Sequence, residues 1–482
     1  MRILCNLPLE SFDDRANLRG VELCTYGPED RMLVEGVHYP FDVAFDPQRG
    51  SIHELLAALP NGFRPDLVLL FWPDQEPLPR DLHRCPVPVV GVVSDYNLTL
   101  PMTTRLQPFF DVLLCDRAGV PLFERLGHPD VRYFCQYTWK RPFHGTAPDA
   151  PRDLDVAFAG NLNPAVQRER GPWIDRLRAL ARDGHRVEVH QGLIGADYGR
   201  LLGRARIGFN RSIRGEMNLR AFEVPACGAL LLMERANLEV REFFVPDEEC
   251  ALYGDDDFED VVTGLLRDEP RRRRIAAAGW RRVQEHSLGN RMPALLELLA
   301  RPGPGRPAAD DGAAALGRAE AMLTTWASGE AQVAAAMDAV KLLPDDARAL
   351  NALALATLRW RGAAGADAAF KLLQRAATVD PTFAPPCLSL AELLADSDLH
   401  DLRARCRAAA LQRVRAARDW RALSGPLLPF GFAARAVDWS HALQRCVRTG
   451  RPDLAIDAAI EALTPPVPVA DGRTGDVRTS AP

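Results

Sequence analysis

The chain has no CxxC spacing, and none of its ten cysteines clusters with histidine. That excludes zinc ribbons and dithiol redox motifs. The cysteines stand instead in apolar stretches such as "ILCNL" (3–7) and "VLLCD" (112–116), the pattern of buried, reduced thiols, which predicts a cytoplasmic protein. No run approaches the ~18–20 apolar residues of a membrane span. The start, "MRILCNLPLESFDD", has too short an apolar segment for a signal peptide, and acids follow it at once. Basic charge is also missing. The net charge is −5 and the pI about 6.1, so no field for nucleic acid is expected. No His, Cys, Asp and Glu cluster has metal-ligand spacing, and "GDDDFED" (254–260) reads as a loop and helix start. Abundant Arg and Ala, with 35 glycines and 38 prolines, fit a GC-rich bacterial gene.

What is present divides the chain in three, as its 482 residues suggest. Short apolar runs alternate with amphipathic stretches up to about residue 300. The predicted strands are 2–7, 66–72, 88–95, 111–116 and 131–136, then 155–160, 186–192, 205–210, 229–234 and 250–254. Runs such as "DLVLLFW" without strict alternation mark strands covered on both faces, the signature of parallel sheets. The three-proline segment "KRPFHGTAPDAPRD" (140–153) separates the two sets. The expectation is an α/β chain with two facing doubly wound, Rossmann-like domains, 1–145 and 150–300. Ligands would then lie in the cleft between them.

"RPGPGRPAADDG" (301–312) predicts a linker, 301–315, that few contacts cross, so that the part beyond it is separable. Residues 316–465 are Ala/Leu-rich and predicted helical. Ala339/Ala376, Pro344/Pro381, Ala347/Ala384 and Leu353/Leu390 recur at an offset of 37. Tetratricopeptide repeats use about 34 residues, with small residues where paired helices touch. The reading is an all-α, tetratricopeptide-like domain able to bind a protein or peptide, with a disordered tail, 466–482.

One stretch concentrates chemistry: "NLRAFEVPACGALLLME" (218–234). Asn218 is placed to cap a helix, because its side-chain oxygen can accept a first-turn N–H. Arg211, Arg214 and Arg220 can converge on the same helix N-terminus, an arrangement suited to a diphosphate. Glu223, one turn further on, can accept two hydrogen bonds from the vicinal hydroxyls of a ribose. The bland alternative is a structural Glu223–Arg220 pair.

This stretch resembles the donor motif of two-domain glycosyltransferases with the GT-B fold, of the group-1-like, CgeB-type branch. The resemblance covers roughly 1–300. It is carried by "DVAFAGNLNP" (155–164), residues 218–234, "FFVPDEECALYGDDDFEDVV" (243–262) and "IAAAGWRRVQEHSLGNR" (275–291). It implies that Glu223 binds the nucleotide ribose, that Arg220 lies near the diphosphate, and that Gly160 and Asn161 form the turn beneath the donor. Where many retaining relatives carry a second glutamate, this chain has Gly215, with Glu216 one residue on. The resemblance also implies a nucleotide-sugar co-substrate and no required metal or cofactor.

Three weaker expectations remain. Asp95 ends a predicted strand on the cleft side and is a candidate general base. Trp72 and Asp74 are candidates to touch an acceptor sugar, and His190 to lie near the donor. Besides glycosyl transfer, a sugar-nucleotide epimerase or a non-catalytic binding scaffold remains open.

Overall fold

The computed structural model describes residues 1–28, 33–34, 36–60, 62–428 and 434–464. The tail expected to be disordered lies outside the described residues.

The first sheet is parallel, with strand order Val43–Ala44, Glu22–Gly27, Arg2–Cys5, Leu67–Phe71, Val89–Val92, Val112–Cys115 and Val131–Tyr133. The second, also parallel, runs Val187–His190, Leu154–Ala159, Ala205–Phe209, Leu230–Glu234 and Ala251–Tyr253. All ten predicted strands are present. Glu22–Gly27 and Val43–Ala44 are additional. In each sheet the chain order reverses beside the first strand, between Arg2–Cys5 and Leu67–Phe71 and between Leu154–Ala159 and Ala205–Phe209. At such a reversal the connections leave in opposite directions, and a crevice opens at the carboxyl ends of the two strands.

The boundary expected at 300 is not a packing boundary. Helix Leu288–Ala300 follows the second sheet in sequence, yet Leu288, Met292 and Leu295 are buried with Ile3, Cys5, Leu67 and Leu69 of the first.

From Asp311 to Leu463 the described secondary structure is helical. Successive helices pack on one another, with Ala336 and Ala339 of Gly329–Leu342 buried with Ala349, Ala352 and Ala356 of Ala347–Arg361. Small side chains at these positions let the backbones approach closely.

The expectation of a separable helical part is overturned. Trp439, Leu443 and Val447 of helix Ala434–Thr449 share one buried cluster with Leu100, Phe109 and Phe110 of the first α/β unit. Arg318 donates to the carbonyls of Leu78 and Gln48, each at 2.8 Å. The linker is itself tied down, since Arg306 donates to the carbonyls of Leu82 and Cys85 and pairs with Asp111 at 3.3 Å. Proline and glycine in 301–312 shape a route along the surface of the first unit; they do not detach the helices beyond it.

Candidate functional site

The crevice of the second sheet is lined by two arginines. Arg220, on helix Leu219–Ala226, donates from Nε and Nη2 to the Ala159 carbonyl at 2.9 and 2.6 Å, and from Nη1 to Asn210 Oδ1 at 3.0 Å. It therefore ties together the ends of the two strands between which the order reverses. Its guanidinium lies 4.4 Å from the Phe158 ring centre. Gly160 permits this approach, because a Cβ there would stand 2.2 Å from Arg220 Nη2.

Arg170 meets the same ring at 5.5 Å. It donates to the carbonyls of Asn161 at 2.8 Å and Arg211 at 3.3 Å, while its Nε is buried without a hydrogen-bond partner among the described residues. Burial, with the Arg220 charge adding to it, pushes Arg170 down to about 9. Among the described residues neither guanidinium forms an ion pair with a carboxylate. Two buried cations beside one aromatic ring favour an anion near them. Sequence reasoning missed Arg170, which enters from the short 3-10 helix Arg168–Arg170 some fifty residues earlier in the chain; the only signal was its place just before helix Gly171–Arg182.

Asn218 caps the helix as expected, accepting from Ala221 N at 3.2 Å, and its amide pairs reciprocally with that of Asn210 at 3.1 Å. Glu223 is 4% exposed. It is not paired with Arg220. Its carboxylate lies 3.9 Å from His144 Nε2 and acts electrostatically on Tyr198. Burial, then the Glu223 charge, raises Tyr198 well above the usual phenol range. Tyr198 and His144 were not anticipated, since they reach Glu223 from helix Gly195–Arg204 and from the segment joining the two units.

The expected convergence of Arg211 and Arg214 on the helix N-terminus does not occur. Arg211 lies over the Trp173 ring at 4.9 Å, beside Tyr253. Arg214 crosses the cleft into the first unit. Its Nε donates to Asp116 Oδ2 at 3.0 Å, Nη2 to the Ser94 carbonyl at 3.0 Å and Nη1 to Asn97 Oδ1, and Nη1 stands 3.8 Å from Asp95 Oδ1. A buried carboxylate across the cleft attracts it more strongly than a partly satisfied helix end. Glu216 folds back to accept from Arg214 N at 2.6 Å, closing a turn in which Gly215 takes φ +79°. His190 is held at 2.8 Å by Glu188 two residues before it on the same strand face, and Asn161 is exposed, accepting from Asn163 N at 2.8 Å.

Asp95 precedes helix Tyr96–Thr103 but makes no cap bond; its Oδ2 accepts from Gln75 Nε2 at 3.1 Å, and its side chain is 43% exposed. Asp74 is fully buried and cannot touch an acceptor. It accepts from Asp95 N at 3.0 Å, and burial, then the Asp95 charge, pushes it up to about 7. Trp72 is held by Gln136 at 2.8 Å.

The Asp74 shift has a measurable consequence. Its folded-state value exceeds the unfolded one, so the native state holds the proton longer. That contribution to stability is complete below about pH 4 and is lost as pH rises through about 7. Denaturant titrations of wild type and Asp74→Asn are expected to give a stability difference that moves against wild type between about pH 4 and 7. The subtraction removes the opposite effect of the buried His128 and His286, pushed down to about 3 and about 4. A difference independent of pH would show that Asp74 is ionised throughout.

Residues 140–297 match a family model described as glycosyl transferase-like. The match spans the second sheet and ends within the helix that returns to the first. No curated protein matches the chain. Among solved structures, HepE from Anabaena in complex with UDP-glucose aligns at 12% identity and a TM-score of 0.39, covering 62% of this chain and 99% of that one. Sucrose-phosphate synthase from Thermosynechococcus elongatus aligns at 13% identity and a TM-score of 0.37, covering 62% and 98%. Among the described residues no group of three or more His, Cys, Asp and Glu is arranged to hold a metal ion, and no helix is long and apolar enough to cross a membrane.

Proposed function

We propose that this chain is a nucleotide-sugar-dependent glycosyltransferase of GT-B architecture. The observation that carries the reading is a coincidence of place. The segment matching the glycosyl transferase-like model contains the crevice where Arg170 and Arg220 stand without counter-ions among the described residues, and Glu223 follows on the same helix as Arg220. In this reading the diphosphate of the donor occupies the arginine-lined crevice above Gly160 and Asn161, and Glu223 accepts hydrogen bonds from the ribose hydroxyls. An acceptor hydroxyl attacks the anomeric carbon, the bond from that carbon to the diphosphate oxygen breaks, and Asp95 takes the acceptor proton. Arginine charge and backbone N–H groups stabilise the leaving diphosphate as its negative charge grows, so no metal is required of the reaction. The two-sheet core faces its donor unit toward the first unit, which holds the acceptor. The tetratricopeptide-like helices add a surface for a protein or peptide. Ten free, mostly buried thiols fit a cytoplasmic setting.

Glu223→Ala tests the ribose assignment. Losing a charged acceptor is expected to weaken nucleoside diphosphate binding by about 1.5–3 kcal/mol, read by calorimetry on a variant with unchanged circular dichroism. Equal affinity in a folded variant would remove Glu223 from the donor site.

A further inference from the structure

Helix Tyr96–Thr103 carries the cleft side of the first unit, with Asp95 just before it and Asn97 in its first turn. It also contains Pro101. In a regular helix the N–H of residue 101 would bond the carbonyl of residue 97. Proline has no N–H, so the Asn97 carbonyl is left without its intrahelical partner. The partner comes from the far end of the chain, where Gln444 on helix Ala434–Thr449 donates from Nε2 to that carbonyl at 3.0 Å. One turn away, Ser440 Oγ accepts from Leu100 N at 3.2 Å. Both bonds are buried. The Asn97 side chain, 1% exposed, accepts from Arg214 through Oδ1, and its Nδ2 is buried with no partner among the described residues.

We infer that Gln444 is a positioning residue of the cleft: by completing the hydrogen bonding of a proline-interrupted helix, it fixes Asp95 and Asn97 against Arg214. The helical part is thereby a component of the site, 347 residues away from Asn97 in sequence. The same helix meets the donor unit as well. Val437 is buried with Leu98 and Val166, and Asp438 pairs with Arg168 at 2.9 Å. The consequence for catalysis rests on the transfer reading given above, whereas the consequence for the Tyr96–Thr103 helix does not.

The test uses four full-length proteins: wild type, Gln444→Leu, Pro101→Ala, and the double variant. Leucine keeps the volume and removes the donor. Alanine at 101 restores the missing N–H, which makes Gln444 dispensable. With UDP-glucose and GDP-mannose as donor probes and release of nucleoside diphosphate as the readout, Gln444→Leu is expected to lower kcat about tenfold while KM changes less than about twofold. Pro101→Ala should resemble wild type, and the double variant should recover to within about twofold of Pro101→Ala. A double variant that falls as far as Gln444→Leu overturns the inference, and so does a Gln444→Leu protein with wild-type kcat. If Gln444→Leu does not fold, recovery of folding in the double variant supports the inference and failure to recover contradicts it. If wild type turns over neither probe, the transfer reading is in question, and amide exchange over residues 98–104 decides the positioning claim. Exchange about tenfold faster in Gln444→Leu and restored in the double variant supports it; exchange equal in all four proteins overturns it.

Discussion

A chain ended after Pro302 is expected not to fold. The first α/β unit shares its largest buried cluster with the helical part, so truncation removes Trp439, Leu443 and Val447 and uncovers Leu100, Leu106, Phe109 and Phe110 of the same cluster. Each large side chain contributes about 1.5–3 kcal/mol through burial. Exposing four of them costs on the order of 6–12 kcal/mol, comparable to the whole of the roughly 5–15 kcal/mol by which a domain is stable. The cut also removes Arg318 from the carbonyls of Leu78 and Gln48, and Arg306 from those of Leu82 and Cys85. Soluble yield and a cooperative thermal transition are the observables. A truncated chain that is monomeric, unfolds cooperatively and matches the full-length transition temperature would contradict the shared core.

The second large effect is expected at Arg214. Its guanidinium neutralises Asp116, which is buried and also accepts from the Tyr96 hydroxyl at 2.8 Å and Gly119 N at 2.7 Å. Arg214→Ala leaves that carboxylate, the Ser94 carbonyl and Asn97 Oδ1 without their cation. Removing one partner of a buried pair costs about 3–5 kcal/mol, because the other charge stays behind. Double substitution with Asp116→Asn removes the orphaned charge and should be less damaging than Arg214→Ala alone. Urea titrations of Arg214→Ala, Asp116→Asn and the double variant against wild type give the comparison. If Arg214→Ala lies within about 0.5 kcal/mol of wild type, Arg214 does not clasp the two units.

Legibility in the sequence depends on how local each signal is. Leu67–Phe71 and Leu230–Glu234 are buried on both faces and announce themselves as apolar runs. Glu22–Gly27 begins exposed and carries Glu22 and Thr25, so no run appears. The Asn218 cap is a relation over three residues and was readable. The Arg214–Asp116 pair spans 98 residues and two units, and Gln444 meets Asn97 across 347; no periodicity encodes either. The covering of the first unit by helices had a local sign that proline and glycine in the linker obscured. Helix Asp311–Met322 buries nearly all of its residues, Arg318 and Glu320 among them, and offers no broad polar face to solvent. A helix patterned that way is enclosed by its neighbours, and Glu320, pushed up to about 7 by burial, lies 3.5 Å from Arg105 of the first unit.

The central claim is that the crevice between Leu154–Ala159 and Ala205–Phe209 receives the diphosphate of a nucleotide. Calorimetric titration of the full-length protein with uridine, guanosine and adenosine, each compared with its diphosphate, tests it most directly. Arg170 and Arg220 can engage phosphate oxygens, and a nucleoside has none. At least one diphosphate is expected to bind one-to-one, tighter than its nucleoside by about 1.5–3 kcal/mol or more. Binding of no diphosphate, or of nucleoside and diphosphate with equal affinity, would contradict the claim.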